Sequence, residues 1–237
     1  MRIAQKHTTA ILVFANSSQE ELKRKPIHQA GALFNALTEQ TLATVKTCEL
    51  PYFHFSEQEQ SGNTFGERFV QAIQAVFDKG YDHIITIGND TPQLMRSHIL
   101  EAHEKLQAKK FVLGPSRDGG FYLMGLHKSQ FDASQFQQFA WQTAHLIKEV
   151  SSFAQKQGAD VIRLHVFYDL DSLMDIKKLL HYRRQFSITL LAIFQELLKE
   201  IQIISSFFCM LIDRIRSKDY FNKGSPSLLL TPVSIIP

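Results

Sequence analysis

At 237 residues and 44% hydrophobic, the chain has the length for one sizeable core, or for one domain with an appendage. Its 26 Lys and Arg stand against 23 Asp and Glu, a balance too even for the basic footprint of a nucleic-acid binder. Cys48 and Cys209 form neither a disulfide framework nor a metal-ligand spacing, so a reducing, cytoplasmic setting is expected.

The start is basic, but its apolar run is only "AILVFA" and no small-residue cleavage site follows; the expectation is a first strand and no signal peptide. Runs of strand length then recur at 9–15 (TAILVFA), 82–88 (DHIITIG), 110–114 (KFVLG), 121–126 (FYLMGL) and 160–170 (DVIRLHVFYDL). Segments with helical spacing lie between most of them. In 28–47, Ala32, Leu33, Ala36, Leu37 and Leu42 share a face; in 65–80, Phe65, Phe69, Ile73, Val76 and Phe77 do the same before a stop at Gly80. Apolar strands alternating with helices predict a mainly parallel sheet covered on both faces. From about Gln185 the chain turns to long apolar helix and closes in a Pro- and Ser-rich tail, which divides it into 1–184 and 185–237.

Three places can carry chemistry. Asp90 stands at the tip of the 82–88 strand, ahead of Pro92. It can cap a helix that starts at Pro92, or it can be a ligand, because ligands of open α/β sheets gather outside the carboxyl ends of the strands. Asp169 and Asp171 flank Leu170 at the end of the last strand run. Residues two apart in extended chain point the same way, and like charges so close call for a cation between them; Mg²⁺ or Mn²⁺ would satisfy that need. Asp171 or Ser172 can instead cap the helix that follows. In "GPSRDGGFYLMGL", Gly119 and Gly120 allow a close backbone approach, with Arg117 and Asp118 at the bend; a plain hairpin turn explains the same residues. His98 and His103, five apart, do not share a face as zinc ligands would. His165 reads as a packed core or edge residue, and Trp141 as an anchor of helix packing.

The order "FGERF", "GYDHIITIGNDTPQL", "GPSRDGGFYLMGL", "AWQT", "DLDSLMDI" resembles the bacterial glycosyltransferase-A-like family of radical-SAM/selenodomain-associated transferases, within the nucleotide-diphospho-sugar transferase superfamily. The likeness runs from about Ala10 to about Leu180. It implies a Rossmann-like three-layer α/β/α fold that binds a nucleotide sugar or nucleoside triphosphate with a divalent metal, Mg or Mn. By position, Asp90 matches the acidic residue after the central strand, Asp118, Gly119 and Gly120 the acceptor-side loop, and Asp169 and Asp171 the late acidic pair. Asp90, Asp169 and Asp171 would then hold the metal, with Asp171 the closer ligand of its pair and Asp118 orienting the acceptor. "QSGNTFGERF" brings in Gly62, Gly66 and Arg68. Relatives follow the first strand with a Pro-Gly turn and a Lys-Thr-Arg run around the phosphates; here the loop reads "FANSSQEELKRKPIHQAG". Ala15, Asn16, Ser17 and Ser18 can still offer donors and Lys23, Arg24 or Lys25 can still reach phosphates, although the same basic run also reads as a solvated helix face beside Glu20 and Glu21.

The leading expectation is a metal-dependent transferase that moves a sugar from a nucleotide-sugar donor to a small acceptor. A nucleotidyltransferase and a degenerate, non-catalytic binding or assembly module are the alternatives. Leu190, Phe194, Leu197, Ile201, Ile204, Phe208, Leu211 and Ile215 alternate steps of four and three, the seam of packed helices. They predict a helical cover that also contributes to a homodimer. Glu196, Lys199, Glu200 and Asp213 leave no stretch long enough to span a bilayer.

Overall fold

The computed structural model describes residues 9–25, 27, 30–199, 203 and 206. Six strands form one sheet: β1 (Thr9–Phe14), β2 (Tyr52–Phe55), β3 (His83–Ile87), β4 (Phe111–Pro115), β5 (Phe121–His127) and β6 (Val161–Arg163), in the order β2-β1-β3-β5-β4-β6. The helices are α1 (Ser18–Arg24), α2 (Gly31–Lys46), α3 (Phe65–Phe77), α4 (Arg96–Gln107), α5 (Ala133–Gln137), α6 (Leu146–Lys156) and α7 (Leu173–Leu179).

The central strands are apolar on both faces because both faces are covered. Ala10 and Leu12 of β1 meet Phe69 and Ile73 of α3 in one core, while Ile11 and Val13 pack in a second with Ile99 and Leu106 of α4. Each fully buried Leu or Ile contributes about 1.5–3 kcal/mol over its exposed state. The expected layered α/β fold is therefore the one observed.

The sheet is mixed rather than mainly parallel. β1 runs parallel to β2 and β3, and β4 to β6, but β5 is antiparallel to both β3 and β4. The cause lies in 116–120, a tight turn that returns the chain antiparallel to β4 and lets β5 insert between β3 and β4. The hairpin reading of Asp118 and Gly119 is the local structure. Two further boundaries differ from the sequence pattern. The run 160–170 is a strand only over Val161–Arg163, followed by an isolated bridge from Phe167 to Ser116, and His165 is exposed. The four-residue β2 at the sheet edge, half exposed, lacks the apolar run that would have announced it.

After Glu196 the chain passes into a second unit. Within the first unit, the Ser187 hydroxyl accepts the Leu190 N–H at 3.1 Å, residues 188–196 are helical, and Leu190 and Phe194 are fully buried. Phe194 meets Phe186 edge-on at 5.6 Å. Of the second unit, 197–199, 203 and 206 are described; Ile201, Ile204, Phe208, Leu211 and Ile215, named above as the seam, lie outside the described residues. Among the described residues no helix is long and apolar enough to cross a membrane.

Candidate functional site

The carboxyl ends of β1 and β3 open onto a cavity of about 460 Å³, inside the range of small-molecule sites. Asp90 enters it directly from β3. It does not cap a helix at Pro92, because α4 begins only at Arg96, and there the His98 Nδ1 accepts the Met95 N–H at 3.0 Å. The Asp90 carbonyl instead accepts the Leu170 N–H at 2.8 Å. That single bond ties the tip of β3 to the loop holding Asp169 and Asp171, so the two acidic segments do share one edge.

Lys25 completes the cluster. It follows α1, whose N-terminus is capped by Ser17, and its N–H bonds back to the Glu21 carbonyl at 2.9 Å. The half-buried ammonium lies 3.3 Å from Asp90 Oδ2, 3.0 Å from Asp171 Oδ1 and 2.9 Å from the Leu170 carbonyl. Burial opposes the charge, but the Asp90 and Asp171 carboxylates outweigh it and hold the Lys25 pKa above the ordinary lysine value. Ser172 stands at the N-cap of α7, where its N–H and its hydroxyl both donate to Asp175 Oδ2, at 3.0 and 2.8 Å, which leaves Asp171 to the lysine.

Asp169 has the opposite surroundings. Burial, then the neighbouring charge of Asp90 and, further down, that of Asp118, raise its pKa well above the carboxylate range, against the hydrogen bond from the Thr91 hydroxyl. The expectation of Asp171 as the closer metal ligand meets a structure in which Asp171 is 56% exposed and paired with a lysine, while the inner position belongs to Asp169. A buried carboxylate crowded by two others and short of a counter-charge suits a hard cation. Asp90 and Asp169 offer one, since Mg²⁺ is often held by one or two carboxylates and completed by waters and phosphate oxygens. Among the described residues, no three His, Cys, Asp or Glu form a cage, so such an ion would need its substrate to complete the shell.

Of the site residues singled out in the sequence, Ala15, Asn16, Arg24, Lys25, Asp90, Asp118, Gly120, Asp169 and Asp171 line this cavity, Arg24 with its guanidinium on Glu20 at 3.0 Å. Lys23, Arg68 and Gly119 do not. Lys23 is exposed and pairs with Glu20 at 2.9 Å, the solvated helix face that was the alternative reading. Arg68 reaches the Asn63 carbonyl at 3.4 Å. Gly119, at φ +96°, supplies the turn: a Cβ there would come within 2.3 Å of the Ala144 carbonyl oxygen. The donors expected for phosphate are also engaged. Asn16 Nδ2 bonds Glu21 at 2.8 Å, and the Ser17 N–H and hydroxyl bond Glu57 at 2.7 and 2.6 Å.

Sequence reasoning missed the opposite wall, built by Phe14, Phe65, Phe69, Phe121 and Trp141. Trp141 does anchor packing, as expected, but it also faces the cavity. Its signal was Gly66 in the first turn of α3, a residue type that weakens helices; a Cβ at Gly66 would sit 2.6 Å from the Trp141 ring.

A family model described as "Uncharacterized protein conserved in bacteria (DUF2064)" matches residues 21–143. The chain's fold is shared with a crystal structure from Desulfovibrio desulfuricans G20 provisionally named a nucleotide-diphospho-sugar transferase, at TM-score 0.70 and 21% identity over 83% of this chain and 96% of that one. It is also similar to a 4-diphosphocytidyl-2C-methyl-D-erythritol synthase from Anaerococcus prevotii DSM 20548, at TM-score 0.51 and 12% identity over 75% of this chain and 96% of that one. No curated protein matches the sequence.

Proposed function

We propose that this chain, which belongs to the bacterial family DUF2064, is a transferase that holds the diphosphate of a nucleotide sugar over the Asp90, Asp169 and Lys25 cluster and passes the sugar to a small acceptor alcohol. One observation carries the reading: Asp90, Asp169 and Asp171 line one cavity at the sheet's carboxyl edge, where Lys25 pairs with Asp90 and Asp171 and leaves Asp169 without a cation of its own. A structure selected for stability alone would not place them so.

Asp90 and Asp169 are the residues that would hold a divalent cation, whose chemistry is neutralisation of the charge that grows on the departing diphosphate. Lys25, whose three N–H donors go to Asp90, Asp171 and the Leu170 carbonyl, places its positive charge beside the diphosphate and would bind a phosphate oxygen by exchanging one of those partners. Asp118 is fixed by the Gly120 N–H at 2.9 Å and by the Ser116 hydroxyl. It orients the acceptor and takes its hydroxyl proton as the acceptor oxygen bonds to the anomeric carbon. The carbon–oxygen bond to the diphosphate breaks, and its electron pair leaves with the nucleoside diphosphate.

Thermal-shift titration with a panel of nucleotide sugars and nucleoside triphosphates, with and without Mg²⁺ or Mn²⁺, tests this. A metal-dependent shift for one nucleotide class, lost in Asp90→Asn, is expected. Release of pyrophosphate in place of a nucleoside diphosphate would turn the reading to nucleotidyl transfer, and silence across the panel would leave a binding module.

A further inference from the structure

The cavity has two unlike ends. Opposite the aspartates, four half-buried rings, Phe14, Phe65, Phe121 and Trp141, stand on the buried Phe69. The Trp141 ring centre lies 5.4 Å from that of Phe65, 5.1 Å from Phe69 and 6.1 Å from Phe121. These rings continue the core beneath them, yet they keep surface toward the cavity instead of closing over it.

The wall is held rigidly and stripped of polar function. The indole N–H of Trp141 donates to the Phe136 carbonyl at 2.7 Å, so the ring has no donor left for a ligand. The next residue, Gln142, is held at φ +60°, a conformation that a non-glycine residue adopts at a cost of order 1–3 kcal/mol where the surroundings enforce it. The surroundings here are visible: the Ala140 N–H bonds Glu149 at 2.7 Å, the Thr143 hydroxyl bonds the Ala140 carbonyl at 2.7 Å, and Gly66 clears the space for the indole. A fixed π surface with no hydrogen-bonding capacity selects flat, apolar groups, which prefer offset or edge-to-face contact with such rings.

The wall also adjoins the Asp118–Gly120 turn. Phe121 follows Gly120 directly, and the Ile147 N–H donates to the Gly119 carbonyl at 3.1 Å, pinning the segment after Trp141 against that turn. We propose that the aromatic wall is the acceptor subsite, and that the acceptor is an alcohol carrying a planar aromatic ring, its hydroxyl directed at Asp118. The assignment to the acceptor rests on the transferase reading of the neighbouring aspartates; the ring site itself rests on the wall.

Trp141 is the chain's single tryptophan, so its emission reports this surface alone. The full-length protein is titrated with 2-phenylethanol, with the non-planar 2-cyclohexylethanol, and with cytidine and adenosine. Saturable change with 2-phenylethanol is expected, about fivefold tighter than with the cyclohexyl compound, the preference that one aromatic pair supplies. The change persists with a nucleoside diphosphate and Mg²⁺ present. Phe65→Leu and Phe121→Leu, each checked for a native unfolding transition, reduce the preference. Equal affinity for the two alcohols overturns the proposal, and so does displacement of 2-phenylethanol by the nucleosides, which would give the wall to a donor base. Ring binding intact without any nucleotide binding would fell the transferase reading, whereas nucleotide binding without ring preference would fell only this subsite.

Discussion

The two edges of the sheet carry similar charges under different rules. At the amino edge of β3 and β6 each exposed aspartate has its own lysine: Asp82 lies 2.7 Å from Lys128 and Asp160 lies 2.5 Å from Lys110. At the carboxyl edge, Asp90, Asp118, Asp169 and Asp171 crowd one cavity whose lysine, Lys25, is already engaged by two of them. The first edge is arranged for folding. The second is left short of positive charge, which is physically sensible where a ligand is to supply it, and sites of this kind tend to trade stability for function.

The largest expected effect follows from removing Lys25, the lysine that Asp90 and Asp171 share at the crowded edge. Lys25→Met leaves Asp90 and Asp171 facing each other without a counter-charge and should cost about 2 kcal/mol, less than a fully buried pair because both carboxylates reach solvent. Denaturant unfolding without ligand measures it. Nucleotide affinity should fall at least about tenfold. A variant as stable as the parent would mean that the two edges do not differ in kind.

Asp169→Asn sharpens the contrast from the other side. The amide removes a charge that burial and Asp90 disfavour, while its oxygen can still accept the Thr91 hydroxyl. The ligand-free protein should gain about 1 kcal/mol and lose metal-dependent nucleotide binding. The corresponding change at the amino edge, Asp82→Asn, should do the reverse and destabilise slightly, because the Lys128 hydrogen bond holds the Asp82 pKa below its ordinary value. If both substitutions moved unfolding in the same direction, the proposed difference between the edges would be gone.

A pH titration of the parent against His127→Gln reads the amino edge, because the raised Asp169 and the depressed His98 contribute equally to both proteins. His83 and His127 stand opposite each other on β3 and β5, ring centres 4.9 Å apart. Burial first, and then His127, depress the His83 pKa, with Asp82 opposing and His103 adding weakly. For a base depressed in the folded state, the unfolded chain takes the proton first as pH falls, so stability is full at neutral pH and is lost below about 6.5. His127→Gln should shrink that loss. An unchanged slope in the variant would remove His127 as a cause.

How much of this was legible in sequence differs between the layers. Strands buried on both faces show as unbroken apolar runs, so the central strands and Asp90 at a strand tip could be read directly. The order of strands could not, because an apolar run does not state its partner, and the insertion of β5 depends on the turn at 116–120. Helix register decides among Lys23, Arg24 and Lys25: α1 ends at Arg24, so Lys25 turns inward while Lys23 stays on the solvated face. The aromatic wall was hidden for a different reason. Phe65 and Phe69 have the spacing of a core face, and they do pack on the core; that the rings also border a cavity is set by Trp141, more than seventy positions away.

The smallest effect belongs to the Lys110–Asp160 pair, whose two side chains are 35% and 64% exposed. Water competes for both groups at this exposure, and holding two long side chains in one geometry costs rotamer entropy, so a close contact converts into little stability. A double-mutant cycle with Lys110→Met and Asp160→Asn should give a coupling of about 0.2–1 kcal/mol. At ~1 M salt the screening length contracts to about 3 Å, and most of that coupling should vanish. Lys25 lies under the opposite edge, its side chain 16% exposed against 35% for Lys110, so salt should screen it less and a larger share of the cost of Lys25→Met should survive. The cycle and the Lys25→Met variant, measured side by side at low and high salt, therefore compare screening directly. A Lys110–Asp160 coupling above about 1 kcal/mol that persisted in high salt would show that the amino edge is also electrostatically built, and that an excess of aspartate alone does not mark the carboxyl edge as the site.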